Sequence, residues 1–312
     1  MSTSETVPDD TEFADHGALS RVDVGDGVAL VGLAVFWAWL LARWVNDLTG
    51  GLLVPPGQPF VPPATIESFG AGLPVLAGLF DAVAFAFTNL PTLANALRLT
   101  LILTLIGTTA GFVLAVPLSV ARVYGKWSAW VALAYTELLR GTPLLAQLFV
   151  FYYGLNLGQY VPDPLVALFA AGPAVWVAIV GFTLNSSAYQ AEYIRAAIES
   201  VDAGQLTAGR AIGLSKLESV RFVVLPQALR FAIPGWSNEL VYMIKYSSLA
   251  AFITVPELFN RVNAIASENF RYTAMFSLAA LLYLALVISA SRLMGWVEEE
   301  TSIPGLGTSG DP

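Results

Sequence analysis

Few side chains in this sequence could do chemistry, and those few sit among apolar neighbours. Asn185, Glu192, Asn238, Glu239, Lys245, Ser247 and Ser248 fall inside or beside hydrophobic runs, and so do Glu137 and Arg140. A polar group at membrane depth is costly unless it pairs or faces an aqueous path. Glu137 with Arg140, and Glu192 with Arg195, are three residues apart and so neighbours on a helix, which makes each set a structural ion pair. Asn238 and Ser248 are the candidates for contacts along a pathway. Lys245 either faces that pathway or bridges to a nearby carboxylate. Cysteine chemistry is excluded by composition: there is no cysteine, and the single histidine, His16, lies in a polar N-terminal stretch. Thiolate nucleophiles, disulfides and thiolate metal sites are therefore absent. The fragment Gly209 to Lys216 lacks the Gly-Lys-Ser/Thr step of a phosphate loop and binds no nucleotide.

The second chemically distinct stretch runs from Ala188 to Leu249. It is polar and mostly cationic, lies between apolar segments, and is punctuated by Gly204-Gln205, Gly213 and Leu225-Pro226. Arg195 to Ser200 reads as a short helix, Gly204 as its break, and Gln205 to Ile212 as the next helix. Gly213 suits a left-handed cap. Leu214, Leu217, Val220 and Val224 then recur at helical steps, with Lys216, Glu218 and Arg221 off that face, and Pro226 ends the helix. A short helix held between two turns can bury a small face in a partner and transmit rigid-body motion.

These groups are carried by a membrane scaffold. Of 312 residues 56% are hydrophobic, and mean hydropathy is +0.67. The apolar residues form continuous blocks, each near the roughly 20 residues that a helix needs to cross hydrocarbon. Continuous blocks mean helices, because barrel strands alternate. The formal net charge is −8, with acid concentrated in the tails and only three lysines, Lys126, Lys216 and Lys245. Such acidic, lysine-poor surfaces resemble those of proteins from salt-loving organisms. They also offer nothing to a nucleic-acid partner.

In chain order, residues 1–26 form an acidic tail that reads as disordered. Residues 27–45 form a first span, with Trp37, Trp39 and Trp44 toward its end. Residues 46–89 form a proline-rich outer loop followed by an interfacial or re-entrant segment, Phe69 to Asn89. Leu93 to Val120 is a clear span. Trp130 to Leu157 is a span broken at Gly141-Thr142-Pro143. Leu165–Ala188, Leu229–Ile253 and Tyr272–Trp296 complete five core spans, and a flexible tail follows from residue 299. Arg122, Lys126, Arg195, Arg210, Lys216, Arg221, Arg230 and Arg292 then share one side, the cytoplasm by the positive-inside rule. The N-terminus is cytoplasmic if Phe69–Asn89 does not cross, and external if it does.

The loop carries a family resemblance. It resembles the cytoplasmic signature of the membrane subunits of binding-protein-dependent ABC importers: Glu-Ala-Ala, three residues, Gly, nine residues, Ile-x-Leu-Pro. Here Thr207-Ala208-Gly209 is followed by three residues, Gly213, nine residues, then Val223-Val224-Leu225-Pro226. Thr207 replaces the Glu and Gly209 the second Ala. Glu137 to Leu148, Tyr152 to Leu155, Ala188 to Glu192 with Arg195, Gly204-Gln205, Leu225 to Ala228 and Lys245 to Leu249 are similar to the polar amino-acid branch. In that branch an acid usually follows the lysine, where this chain has Tyr246.

The resemblance covers about residues 90–298. It implies an all-α, MetI-like transmembrane domain of five core helices, plus at least one extra N-terminal helix. It further implies a second permease subunit, like or unlike, and an external binding protein that delivers an amino acid. A cytoplasmic ATPase dimer, which binds the ATP and Mg, would supply the energy. This chain is then not an enzyme and holds no cofactor itself. The docking segment carries over to Gly204, Gln205, Thr207, Ala208, Gly209 and Gly213. An ion-coupled secondary transporter is the alternative; it needs broken helices in two matching halves, and no internal repeat is evident.

Overall fold

The computed structural model describes residues 24–301, apart from residues 71, 73 and 170. Most of residues 1–26, His16, and the tail beyond Thr301 lie outside that range. Among the described residues there is no strand. The chain forms α1 (Val24–Leu48), α2 (Pro63–Gly70), α3 (Ala77–Tyr124), α4 (Trp127–Arg140), α5 (Leu144–Phe149), α6 (Asp163–Phe169), α7 (Ala174–Ser200), α8 (Ala203–Ala211), α9 (Lys216–Ser219), α10 (Leu225–Tyr246), α11 (Leu258–Asn269) and α12 (Tyr272–Thr301).

The long helices run between the same two ends of one bundle, and side-chain contacts give their directions. Asp81 pairs with Arg271 at 2.7 Å at one end, while Phe112 and Val297 line one cavity toward the other, so α3 and α12 run parallel. The spaces over Gly107 and Gly111 are filled by Phe182 and Ser186, which makes α7 parallel to α3 as well. Thr104 lies near the Met243 carbonyl and Tyr193 packs on Gly235, so α10 runs the other way. Leu148 covers Gly181 and Pro173 covers Gly158, so the α4–α5 limb also opposes α7. Finally Trp37 donates to Ser289 at 2.8 Å and Trp44 to the Ala94 carbonyl at 2.7 Å, which sets α1 antiparallel to α3 and α12. Five core helices plus one added N-terminal helix result. Small residues at 107 and 111 let α3 and α7 approach closely, as small-xxx-small spacing permits.

Among the described residues, only α1 from Gly27, α3 and α12 are long and apolar enough to pass as spans alone, or four segments if α6 and α7 count as one bent span. The rest are masked for physical reasons. The α4–α5 limb is interrupted at Gly141–Pro143, α7 turns Asn185, Ser186 and Gln190 inward, and α10 carries Arg230, Glu239 and Lys245.

Several expectations need correction. The helix that carries the first span, Val24–Leu48, extends past 27–45 at both ends, and the apolar span within it runs on to Leu48. Phe69–Asn89 is not a separate interfacial or re-entrant piece: from Ala77 onward it is the start of α3, a 48-residue helix about 72 Å long at 1.5 Å per residue. Pro91 and Pro117 are accommodated within it. Arg195–Ser200 is the last turn and a half of α7, not a helix of its own, and Gly204 lies inside α8. The link between the last two spans holds α11, started by Glu257, whose carboxylate accepts from the backbone of Phe259 and Asn260. Helix α12 runs past residue 299 to Thr301.

Three apolar clusters hold the bundle. One joins α1, α3, α10, α11 and α12 around Leu40, Leu97, Leu258 and Met275. Another gathers Leu103, Leu148 and Phe182, and a third joins α3, α7 and α10 at the end that carries α8 through Ala115, Ile194 and Ala228.

Candidate functional site

The surface at the α8 end is built from turn chemistry. Helix α7 stops at Ser200, and the Asp202 carboxylate then accepts from the Gly204 N–H at 2.7 Å, capping α8. Its nine residues are too few for a stable helix in water, so the seat beneath decides where it sits. That seat is Gly209, which is buried: a Cβ there would lie 2.9 Å from Ser219 Oγ and 3.0 Å from Ser219 Cβ. Gly213 follows at φ +93°, a conformation that L side chains rarely adopt. Ser215 and Glu218 form a capping box over α9, with backbone-to-side-chain bonds of 3.3 and 2.8 Å. The Ser215 hydroxyl and N–H hold the exposed Glu218 carboxyl below its ordinary range.

Pro226 was expected to end this helix, and it does not. Without an N–H it cannot bond the Phe222 carbonyl, and its ring would strike that oxygen. The ladder instead widens to a π turn over Val220–Val224, in which Leu225 N bonds Val220 O at the turn's end. The chain therefore stays helical from Lys216 to Tyr246. Val220 and Val224 are buried as the spacing predicts, but Leu217 is 71% exposed, beside exposed Ile212 and Phe222.

The six residues that the resemblance assigns to docking thus come together. Gly204, Thr207 and Ala208 are exposed on α8, Gln205 is half-buried and within 3.4 Å of Gln227, Gly209 faces inward, and Gly213 forms the turn. These exposed residues are small, and Arg210, Lys216 and Arg221 nearby in sequence are exposed as well. Lys216 reaches back over the Tyr124 ring at 5.3 Å, tying α9 to the end of α3.

Above this surface Glu192 collects three cations. Arg195 donates through Nε at 2.7 Å and again through Nη2, Arg140 stands 3.7 Å away and Arg122 4.0 Å. Glu137 is 3.8 Å from Arg140, and Glu199 takes Arg195's other nitrogen at 2.6 Å. The two expected pairs are one network that joins α3, α4 and α7. Arg122 could not have been assigned to it from spacing, because it comes from another helix.

Gln147, which spacing also left unremarked, holds the break in the α4–α5 limb. Its Nε2 donates to the Leu139 carbonyl at 2.7 Å and the Thr142 carbonyl at 3.0 Å, and its Oε1 accepts from Asn185 at 3.1 Å. Deeper still, buried Gln190 donates to the Thr108 carbonyl at 2.9 Å and to Ser186 at 2.8 Å, while Ser186 faces the buried Glu239. Glu239 Oε1, Gln190 Oε1 and Thr108 Oγ1 have no hydrogen-bond partner among the described residues.

The pathway candidates lie on one face of α10 and just past its end. Asn238 and Lys245 are exposed, and Ser248 is half-buried. Asn238 folds back onto the Pro234 carbonyl at 3.1 Å and Ser248 onto the Lys245 carbonyl at 2.8 Å. Lys245 makes no carboxylate bridge among the described residues; its ammonium lies 4.7 Å over the Tyr242 ring, which in turn stacks on Tyr246. Tyr242 therefore joins the face. No group of acids and histidines among the described residues could hold a metal.

A polytopic helical bundle with a short helix seated at one end, fixed by glycines and caps, is the architecture of a transporter's membrane subunit. Residues 107–303 match the family described as "Binding-protein-dependent transport system inner membrane component", and the chain belongs to that family. Among its relatives are the octopine transport system permease protein OccM of Rhizobium radiobacter, 36% identical over 69% of this chain and 88% of that protein, and the glutamine transport system permease protein GlnP of Escherichia coli K12, 34% identical over 69% and 94%. In structure it is similar to an amino acid ABC transporter crystallised with histidines, at 31% identity and TM-score 0.58, over 67% of this chain and 94% of that one. The inward-facing MetNI methionine transporter, 18% identical with TM-score 0.55, shares the fold over 69% and 96%. The chain is an ABC importer permease subunit.

Proposed function

We propose that this chain forms half of the path by which a polar amino acid enters the cell, as one of two permease subunits in the cytoplasmic membrane. A cytoplasmic ATPase dimer, carrying ATP and Mg, docks on α8, and an external binding protein delivers the solute at the opposite end. Both termini are cytoplasmic in this reading, because the basic residues gather at the α8 end and α1 starts there. The observation that carries it is the seating of α8: Gly204, Gln205, Thr207 and Ala208 displayed on a helix that Gly209 and Gly213 hold in place. Exposed Ile212 and Leu217 flank it as an apolar rim. Thr207 in place of an acid makes the docking steric and apolar more than ionic. The acidic, lysine-poor composition fits operation at high salt, where surface charges are screened within ~3 Å at 1 M; loss of the folded protein in low salt is the expected result.

The test is reconstitution with an ATPase subunit and a binding protein of an amino-acid ABC importer from the same organism. Gly213→Leu should abolish amino-acid-stimulated ATP hydrolysis and uptake while leaving membrane insertion intact. Uptake that persists with no ATPase present would replace this reading with an ion-coupled one.

A further inference from the structure

One side of α10 is exposed from Phe231 through Pro234, Asn238 and Tyr242 to Lys245 and Tyr246, positions that recur at helical steps. Lys245 is the only charged side chain exposed in residues 231–256, because the one acid there, Glu239, is 2% exposed and faces Ser186 inside the bundle. The limb beside this segment adds no charge. Residues 144–162 contain none, and the Tyr152 and Tyr153 hydroxyls of that limb meet Thr254 at 3.2 Å and the Phe252 carbonyl at 3.3 Å. The Lys245 ammonium rests 4.7 Å over the Tyr242 ring and makes no ion pair or hydrogen bond among the described residues. A ring face attracts a cation but leaves its N–H donors open to an anion. Against hydrocarbon such an ammonium is costly, whereas an aqueous path suits it.

We propose that this face sorts solutes by charge: Lys245 takes the carboxylate of an amino acid whose side chain is neutral or acidic, and a cationic side chain is turned away. The inference rests on the proposed path along α10 and adds which solutes that path accepts. An ammonium with open donors, and no exposed acid in either segment to balance it, makes the local field positive, and low-dielectric walls strengthen such a field. Every amino acid brings a carboxylate that gains from Lys245. A cationic side chain must also leave water, and it finds no acid to pair with, which is costly. Glu239 is not available to it, being buried against Ser186. A neutral side chain meets ring surface instead, from Tyr242 and Tyr246 stacked at 6.0 Å.

The test uses the full-length, cysteine-free chain in nanodiscs, without ATPase or binding protein. Tyr242→Cys, one turn from Lys245, is labelled with an anionic and with a cationic thiol reagent. Adding Lys245→Gln should lower the anionic-to-cationic rate ratio about threefold, as expected for one charge ~6 Å away behind physiological screening. Lys245→Arg keeps the charge and should keep the ratio; Lys245 is exposed, so neither change puts core packing at stake. In a second arm, glutamine or glutamate in large excess should slow labelling of Asn238→Cys, and arginine should not. A ratio unchanged by Lys245→Gln, or protection by arginine equal to that by glutamine, overturns the charge selection and leaves the path standing. If neither cysteine reacts with any charged reagent, the path along α10 falls, and the selection with it.

Discussion

Gly209 is the most informative position to perturb, because one methyl group there separates docking from folding. In Gly209→Ala the new Cβ would fall 2.9 Å from Ser219 Oγ and 3.0 Å from Ser219 Cβ, with Val223 Cγ2 at 3.4 Å. Ser219 is fully buried and leads directly into the π turn, so it cannot swing aside. Forcing a methyl into such a seat costs ~1–3 kcal/mol. A nine-residue helix on two turns has little else to resist with, so α8 should lift from its seat. The bundle, held by its three apolar clusters, should stay folded. If that strain falls wholly on the docked geometry, ATPase stimulation drops roughly 5- to 150-fold. The assay is binding-protein-stimulated ATP hydrolysis in proteoliposomes, beside a thermal melt of the purified subunit. Ser219→Gly removes both offending atoms, so Gly209→Ala/Ser219→Gly should recover most of the loss. Full stimulation by Gly209→Ala, or a double variant no better than the single, would refute the seat argument.

Three further outcomes are expected. Glu192→Gln leaves Arg122, Arg140 and Arg195 without their shared carboxylate; losing a partly buried, charge-assisted set of contacts costs ~1–3 kcal/mol, which a melt of the detergent-solubilised protein should register, while Glu137→Gln at the exposed edge should change it little. The chain has no cysteine, so single cysteines at Asn238, Tyr242 and Lys245 can be probed without background: all three should react with a charged thiol reagent, whereas Met243→Cys, on the buried side of the same helix, should not. The Glu218 carboxyl is held below its unfolded value, so its contribution to the start of α9 is fully present above about pH 4.3 and is lost as pH falls through the lower folded value. Hydrogen exchange at Glu218 and Ser219 should quicken over that window in the wild type and stay fast throughout in Ser215→Ala.

What could be read from the chain alone was whatever is local. The break at Gly141–Pro143, the left-handed turn at Gly213 and the two carboxylate–arginine spacings follow from residue type and separation over a few positions. The contacts that turn pairs into a network do not. Arg122 joins Glu192 because α3 and α7 run side by side, and Gln147 braces its limb because α5 packs on α7. Pattern also failed where two rules competed. Pro91 lies inside α3 because apolar packing of Leu93, Ala94 and Leu97 offsets one missing ladder bond, although proline ordinarily interrupts a helix. Helix α11 escaped notice because its sequence is neither apolar enough to span nor rich in turn residues, and its start depends on Glu257, buried beneath Tyr283.

The correction at Pro226 changes how force should travel. A helix ending there would place a hinge between the docking surface and the membrane, and movement of α8 could dissipate in it. With the π turn, α9 and α10 form one rod of roughly 30 residues, ~45 Å at helical rise, with the α8 seat at its base and Asn238, Tyr242 and Lys245 along its far half. Freedom lies instead on either side of α8, at Val201–Asp202 and at Gly213. A partner that tilts α8 must then tilt the rod, because Gly209 locks the two together at Ser219, and α7 can lag behind on its extended link. On the proposed reading, the candidate solute face is thus on the element most directly driven. Inserting a third flexible joint, as Val223→Gly with Val224→Gly in the rod's base, should therefore uncouple ATP hydrolysis from uptake even though neither residue lies on the candidate solute face. Preserved coupling in that variant would place the transmission in α7 and the Glu192 network instead.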